Sequence, residues 1–351
     1  MFKFNLNPIT ARRLKRFRSI KRGYYSFIGL CFLIFIAMFA ELFINSRALI
    51  VGYEGRIYFP TYGDIIPGTT FGETYDYETD YRKLKERFES TSNHNNFVIL
   101  PPVPYNAFEN DLKTDAYPPF PPDFKRSHYL GTDKTGRDIL ARLVYGFRTA
   151  IFFSLGLLSL SYIIGVSIGC LMGYWGGKFD LAMQRLIEIW SNIPFLYVVI
   201  IISSIMVPNF TMLISIMVFF GWTQITWYMR TATYKEKARE YTAAAKSIGA
   251  KTPRIIFRHI LPNTISIIVT FIPFSIASGI TSLTALDFLG FGLPAPTPSW
   301  GELLQQGTES LDAVWIASSV VGFMIIILTM VTFIGEAIRE AFDPKPHTTY
   351  R

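Results

Sequence analysis

The chain has 351 residues, of which 50% are hydrophobic and 16% aromatic, and its apolar residues occur in long blocks. This composition excludes an intrinsically disordered chain and indicates that a lipid bilayer surrounds much of the protein. The net charge of +8 does not indicate a nucleic-acid partner, because Lys and Arg cluster beside apolar blocks, as the cytoplasmic anchors of membrane helices do. Cys31 and Cys170 both lie inside apolar blocks, so we expect buried thiols rather than a disulfide or a metal site.

The first predicted element is a basic N-terminal segment, residues 1–23, followed by an apolar stretch over residues 24–44. This order imitates a secretory signal peptide. However, the apolar stretch is longer than a signal core and lacks a small-x-small cleavage site. We therefore predict a retained first transmembrane helix whose basic N-terminus lies in the cytoplasm.

Five further apolar stretches reach the length of about 20 residues that a helix needs to cross a bilayer. They cover residues 149–175, 186–207, 211–229, 264–286 and 314–335. The sequence therefore predicts an all-α membrane protein with six transmembrane helices, and an even number of crossings returns the C-terminal tail, residues 344–351, to the cytoplasm. The loop charges agree, because residues 230–262 carry eight Lys or Arg against two Glu, whereas residues 290–313 carry three acidic residues and no Lys or Arg.

Residues 45–148, between the first two predicted spans, form a small extracytoplasmic insertion that is long enough for an ordered domain. Within it, residues 53–60 are typical of a strand with a turn. The insertion is either a structural cap over the pore or a docking surface for a solute receptor or a partner subunit.

The end of this insertion, residues 136–147, is predicted to form an amphipathic helix. Its apolar positions share one face, and Arg137, Asp138 and Arg142 lie away from that face. We expect such a helix to lie in the outer membrane interface before the chain enters the bilayer.

A stripe of small residues marks the second span. Gly165, Gly169 and Gly173 recur at every fourth position and permit a close helix contact, either within this subunit or at a subunit seam. The same stretch contains Gly165-Val166-Ser167-Ile168-Gly169, which satisfies the nucleophile-elbow pattern of serine hydrolases. That elbow needs a strand-turn-helix setting and a nearby His, whereas this Ser lies in the middle of a predicted helix, so a hydrolase is a distant alternative.

Polar groups and a proline within the spans are candidates for pore lining or gating. Arg185 and Glu188 are three residues apart on one helix face and can pair, and Pro194 is expected to kink the third span just beyond them. Asp287 lies at the outer end of the fifth span. It is either a pore-lining carboxylate, because a carboxylate facing lipid is costly, or an interfacial carboxylate that is hydrogen-bonded to a loop.

The loop over residues 230–262 is predicted to form a bent helical hairpin. Apolar or small residues recur at helical spacing at Tyr234, Ala238, Tyr241, Ala245 and Ile248. Gly249 is expected to end this helix, and Thr252-Pro253 to begin a second one that runs to Leu261. The hairpin either inserts its narrow alanine face into a groove of a cytoplasmic partner or lies against anionic lipid headgroups.

The hairpin sequence resembles the EAA loop of ABC importer permeases, in which Ala244-Ala245-x-x-x-Gly249 is followed by Leu261-Pro262; Ala243 occupies the usually acidic first position. The sequence is further similar to the dipeptide and oligopeptide (DppC/OppC) branch over residues 130–142, 174–180, 258–263 and 286–294. Its long outer loop and its C-terminal stretch look most like the YejE-type members of that branch. The resemblance implies an ABC type-1 permease core over residues 149–343. It also implies a role in ATPase coupling for Tyr241, Ala243, Ala244, Ala245, Gly249, Leu261 and Pro262.

The resemblance also implies a function for the whole chain, namely a pore-forming subunit of an ATP-driven importer of peptides in the cell inner membrane. The implied partners are a second homologous permease, ATP-binding subunits that carry ATP and Mg at the cytoplasmic face, and an extracytoplasmic solute-binding protein. The chain itself is expected to be no enzyme and to bind no cofactor, because Gly177-Lys178 lacks the preceding glycine of a phosphate-binding loop. The main alternative is a secondary transporter, which usually shows repeated halves that this sequence lacks.

Overall fold

The computed structural model describes residues 8–90, 96–112 and 116–342, so the predicted tail over residues 344–351 lies outside the described residues. The described chain is mostly helical and contains one small sheet. Two compact units divide it. The first comprises the described residues of Met1–Leu30, Ile151–Leu283 and Ile326–Arg351, and the second comprises those of Cys31–Ala150 and Thr284–Ile325.

The helices are numbered in chain order. They are α1 (Pro8–Ser19), α2 (Lys21–Met38), α3 (Ala40–Phe43), α4 (Tyr81–Ser90), α5 (Ile139–Trp175), α6 (Gly177–Ser191), α7 (Phe195–Ile205), α8 (Phe210–Lys237), α9 (Glu240–Ser247), α10 (Thr252–Ile255), α11 (Leu261–Phe288), α12 (Trp300–Glu309) and α13 (Val314–Phe342). Within the described residues, α2, α5, α8, the continuous segment Thr252–Phe288 and α13 are long and apolar enough to cross a membrane. With the bent pair α6 and α7 as a further span, they confirm the predicted all-α membrane fold.

The third predicted span is broken rather than straight. Helices α6 and α7 meet at an angle of 65°. Pro194 is the last residue before α7 and has extended backbone angles, φ −69° and ψ 104°. Proline lacks the N–H that would continue the hydrogen bonds of α6, which accounts for the predicted kink at this position.

The predicted hairpin over residues 230–262 differs from its prediction in the first helix. Helix α8 continues past the predicted end of the fourth span to Lys237, and α9 begins only at Glu240. The prediction of one apolar face from Tyr234 to Ile248 is therefore wrong. The second helix is not separate either, because α10, a π-helical turn over Ile256–Ile260 and α11 form one continuous segment.

A three-stranded antiparallel sheet lies in the second unit. Its strands are β1 (Ile50–Tyr53), β2 (Arg56–Tyr58) and β3 (Phe97–Ile99), in the order β2-β1-β3. The predicted strand and turn are confirmed as the hairpin of β1 and β2, in which Glu54 and Gly55 both have positive φ, as the tight two-residue turn requires. Side chains of the sheet, of α4, of the short helical turn Gly68–Phe71 and of the loop before β1 form a buried core, namely Ala48, Val51, Phe71, Tyr81, Leu84, Phe88 and Val98.

The prediction of a separate interfacial helix over residues 136–147 is wrong. Gly136 lies in a turn with φ +86°, and the helix that begins at Ile139 continues without interruption to Trp175. Arg137, Asp138 and Arg142 are buried instead of facing water. The pattern misled the prediction because Glu302, 160 residues from Arg142, pairs with both arginines, and His128 pairs with Asp138.

Candidate coupling and translocation site

The glycine stripe of α5 packs against α8 of the same chain. A Cβ added at Gly169 would lie 2.6 Å from the carbonyl oxygen of Thr226, and one at Gly173 would lie 2.5 Å from that of Arg230. At Gly165 the corresponding distance is 2.4 Å to the carbonyl oxygen of Trp222. No larger residue fits at these distances, so the stripe brings the second and fourth spans into backbone contact.

An ion pair that sequence reasoning did not assign joins α6 to α8. The guanidinium of Arg230 donates to both carboxylate oxygens of Asp180, with Nε at 2.5 Å and Nη2 at 2.6 Å. Gln184 donates to the same carboxylate. Two parallel hydrogen bonds fix both position and angle, so this pair holds the first half of the broken span against the helix that leads into the hairpin. The two partners are 50 residues apart, a distance at which sequence spacing carries no signal.

Two of the candidate pore residues lie at the broken span itself. Glu188 accepts a hydrogen bond from Arg185 at 2.5 Å, which is the predicted pair, and both side chains are largely exposed. Pro194 lies at the bend six residues further on. A gating role for either residue stays a prediction.

The hairpin over residues 230–262 is closed by a backbone motif and a small core. At the end of α9, the N–H of Ala250 donates to the carbonyl of Ala245, and the N–H of Gly249 donates to that of Lys246. These two bonds define a Schellman cap, and Gly249 supplies its left-handed residue with φ +78°. Ala245 packs with Ile255 and Ile260 of the second arm. The cap and the core together fix the bend that the sequence predicted at Gly249.

The three alanines of the hairpin do not share one face. Ala245 points into the hairpin, whereas Ala243 and Ala244 are exposed. Ile248 is 86% exposed, and no atom lies within 4 Å of a Cβ added at Gly249. Within the described residues, the outer surface of the hairpin therefore leaves Ile248 and the two alanines uncovered, with Lys246 and Lys251 exposed beside them.

The other predicted coupling residues lie along the two arms of the hairpin. Tyr241 donates its O–H to Glu236 at 2.8 Å across the break between α8 and α9. Burial raises the pKa of Tyr241, and the hydrogen bond to Glu236 raises it further. Leu261 begins α11 and packs with the apolar cluster that contains Cys170 and Met229, whereas Pro262 is exposed.

Of the two roles considered for Asp287, its contacts match a carboxylate that is hydrogen-bonded to a loop. Its Oδ1 accepts the N–H of Leu293 at 2.7 Å, and its Oδ2 accepts the hydroxyl of Ser299. Ser299 in turn caps α12 by accepting the N–H of Gly301 at 3.1 Å. A Cβ added at Gly292 would lie 1.7 Å from Oδ1, so glycine is required there. The buried carboxylate therefore ties the end of α11 to the loop and to the next helix.

A buried charge network lies in the second unit, where the sequence predicted solvent-facing residues. Arg142 is fully buried and donates to Glu302 and to the carbonyl of Ala107, the latter at 3.1 Å. Arg137 donates to Asp133 and to Glu302, each at 2.7 Å. Two arginines share two carboxylates, so the buried charges balance within the network.

His128 is the centre of a second group of buried polar side chains in this unit. Its Nδ1 lies 2.8 Å from Asp138 and its Nε2 lies 2.9 Å from Asp111, while its ring stacks on Tyr105. Burial alone would lower the pKa of His128, but the hydrogen bonds and the charges of the two carboxylates outweigh it, so the pKa is raised. Burial acts to raise the pKa of Asp111, but the hydrogen bond from His128 and the charge of Arg126 outweigh it and lower that pKa.

The environment of Ser167 does not support the hydrolase alternative. This residue lies in the middle of α5, and its hydroxyl donates to the carbonyl of Ile163 at 2.6 Å. The strand-turn-helix setting of a nucleophile elbow is therefore missing at this serine.

Comparison with known proteins agrees with this architecture. Residues 165–347 match the family described as binding-protein-dependent transport system inner membrane component. The chain belongs to this family. Its matched range begins at the glycine stripe and includes the hairpin, so this permease carries its family signature in the helices described above.

Relatives of this permease match along most of its length. It is 40% identical to the inner membrane ABC transporter permease protein YejE of Escherichia coli (strain K12), over 97% of this chain and 98% of the relative. It is 36% identical to the peptidoglycan transport system permease protein YejE of Agrobacterium fabrum, over 97% of this chain and 94% of the relative. The oligopeptide transport system permease protein OppC of Escherichia coli (strain K12) is 34% identical over 71% of this chain and 82% of that protein. The chain is thus a multi-pass permease of the inner membrane, and the predicted resemblance is confirmed.

Proposed function

We propose that this permease is one pore-forming subunit of an ATP-driven importer that moves peptides across the inner membrane. The peptide class is supported by the names of relatives, which include oligopeptide and dipeptide permeases. The proposed orientation places both termini and the hairpin in the cytoplasm, which the basic charge of residues 230–262 supports. The proposed pore is shared with a second homologous permease, and a solute-binding protein delivers the peptide from outside.

The observation that carries the proposal is the exposed outer surface of the hairpin. An isoleucine that is 86% exposed, beside two exposed alanines and a glycine with free space around it, has no partner in the described chain. Ile248 lies directly before Gly249, at the tip of the bend. We infer that ATP-binding subunits, which hold ATP and Mg, cover this surface.

The connections of the hairpin explain how movement reaches the spans. Its second arm is continuous with α11, and its first arm follows α8 after a two-residue break. The pair of Asp180 and Arg230 holds α6 to α8. When ATP draws the two nucleotide-binding subunits together, a displaced hairpin therefore moves the third, fourth and fifth spans as a group and switches the access of the pore.

The test is purification of the tagged permease from membranes, followed by ATP-dependent uptake of a labelled oligopeptide in proteoliposomes. A Walker-A ATPase should co-purify with the wild type. Ile248→Asp should lose the ATPase and uptake, because it places a charge in an apolar contact. Leu311→Asp is the matched control, since Leu311 is also an exposed aliphatic residue (80%) but lies in the predicted outer loop. Uptake driven by an ion gradient without any ATPase would indicate a secondary transporter and contradict the proposal.

A further inference from the structure

A polar cavity lies among four helices of the first unit. It has a volume of about 250 Å³ and is lined by residues of α5, α7, α8 and α11. A single water needs only about 15 Å³ of such space, so the cavity is large enough for a small ligand or a group of waters. Hydroxyl and carboxamide side chains are the polar part of its lining, namely Ser161, Tyr162, Gln224, Ser275, Ser278 and Ser282.

Ser161 is unlike the other serines of α5 that lie nearby. It is 6% exposed, and its hydroxyl has no hydrogen-bond partner among the residues that the structure describes. Ser159, two residues earlier, donates to the carbonyl of Leu155 at 2.7 Å. A buried hydroxyl without a partner is costly, and in a polar cavity it indicates a group that binds from outside the chain.

Gly221 keeps space open in front of this hydroxyl. A Cβ added at Gly221 would lie 3.2 Å from the Oγ of Ser161 and 3.9 Å from a methyl carbon of Leu157. Gly221 also lines the cavity, on the α8 side. The cavity is therefore open where the unpartnered hydroxyl faces it.

The chemistry of the lining identifies the class of ligand. None of the residues that line the cavity carries a charge. Carboxylate and phosphate groups are normally bound by cations, so this lining does not suit them. Hydroxyl and carboxamide groups both donate and accept hydrogen bonds, as the main-chain amides of a peptide do.

We infer that this cavity is a binding site for the main-chain amides of the peptide in transit, with Ser161 as a hydrogen-bonding residue. The inference rests on the proposed transport function and adds a ligand site inside the permease. Because every peptide has the same main chain, such a site accepts peptides regardless of their side chains. The hydroxyl of Ser161 forms a hydrogen bond with the amide of one peptide residue and then with that of the next as the peptide advances.

Cysteine protection tests the position of the peptide directly. In the assembled complex, with Cys31 and Cys170 replaced by Ser, Ser161→Cys is labelled with a small methanethiosulfonate reagent. Trialanine should slow this labelling, whereas trialanine with both peptide nitrogens methylated should not, because methylation removes the amide donors. Ser159→Cys is the matched control and should be labelled at the same rate with and without trialanine.

Uptake measurements give a second readout. At subsaturating trialanine, Ser161→Ala should reduce ATP-dependent uptake about 2- to 10-fold, which corresponds to the loss of one hydrogen bond. Gly221→Ala should also reduce uptake by narrowing the cavity, and Ser159→Ala should leave it unchanged. The quantity of assembled complex recovered from membranes serves as the control for folding.

The outcomes separate the two proposals. Unchanged labelling of Ser161→Cys in a complex that takes up trialanine would overturn the cavity inference and leave the transport function standing. Equal protection by glucose would overturn the assignment to peptide amides. A wild-type complex that neither takes up trialanine nor shows protection would overturn both the cavity inference and the peptide function.

Discussion

Gly249 offers the sharpest test of the hairpin, because its backbone requirement and its surroundings can be separated. Its φ of +78° lies in the left-handed region, and no atom lies within 4 Å of an added Cβ. Substitution by Ala therefore costs only backbone strain, about 1–2 kcal/mol, with no clash inside this chain. Asn adopts this conformation more readily and should cost less.

These magnitudes predict an order of effects. A cost of 1–2 kcal/mol changes the equilibrium between the hairpin with its cap formed and the hairpin with its cap lost by roughly 5- to 30-fold. Gly249→Asn should therefore remain close to wild type and Gly249→Ala should weaken retention of the ATPase. Gly249→Trp has the same strain as the Ala variant, but its indole also occupies the space that the partner is proposed to fill. It should abolish ATPase binding or separate ATP hydrolysis from uptake, while membrane insertion stays normal.

The assay is the ratio of ATPase to permease after co-purification, together with ATP-dependent uptake of oligopeptide by the same preparation. Gly290→Trp is the matched control, because Gly290 has φ +80° and equally open surroundings but lies in the predicted outer loop. It should retain the ATPase. Full uptake by Gly249→Trp, or an equal loss of ATPase from Gly290→Trp, would refute the proposed contact.

Three further predictions concern stability. The pKa of His128 is raised in the fold, so its stabilising contribution is complete below about pH 6.5 and is lost as the pH rises through the raised pKa. The melting temperature should therefore fall as the pH rises across that window. His128→Gln should remove this pH dependence. Gly169→Ala should destabilise the purified permease by about 1–3 kcal/mol, whereas Gly322→Ala, which meets no atom within 4 Å, should be nearly neutral in the same thermal unfolding assay. Asp287→Ala should cost about 1–3 kcal/mol, because Leu293 and Ser299 lose their acceptor, and limited proteolysis should then cut the loop after α11 faster. The His128 prediction is wrong if the difference in melting temperature between wild type and His128→Gln does not change with pH. The glycine prediction is wrong if Gly169→Ala and Gly322→Ala are equally stable. The Asp287 prediction is wrong if Asp287→Ala leaves the cleavage rate of the loop unchanged.

Local signals in the sequence were sufficient where one residue determines its own surroundings. Pro194 predicts its bend because the missing N–H acts within one helical turn. Gly249 predicts the end of α9 because a left-handed cap favours glycine. The long apolar stretches predict spans because the bilayer thickness alone sets their length.

Tertiary contacts determined the features that the sequence could not predict. Arg142 has the pattern of a solvent-facing residue, yet Glu302, 160 residues away, binds it in a buried network. The break between α8 and α9 has no glycine or proline, and it is stabilised by Glu236, which accepts hydrogen bonds from Tyr241 and Thr242. The alanines of the hairpin are identical in type, so only the packing of Ala245 against Ile255 distinguishes the inner position from the outer ones.

The uninterrupted segment that begins at Thr252 has a consequence for how the length of this permease can vary. Its first residues close the hairpin, and Ser275, Ser278 and Ser282 of the same segment line the polar cavity. Each residue of an α-helix advances the direction of its side chain by about 100°, so adding one residue between these two regions would turn the cavity lining away from its present direction relative to the hairpin. Substitutions along this stretch are therefore tolerated more readily than insertions or deletions. We expect insertions and deletions in related chains to accumulate in loops instead.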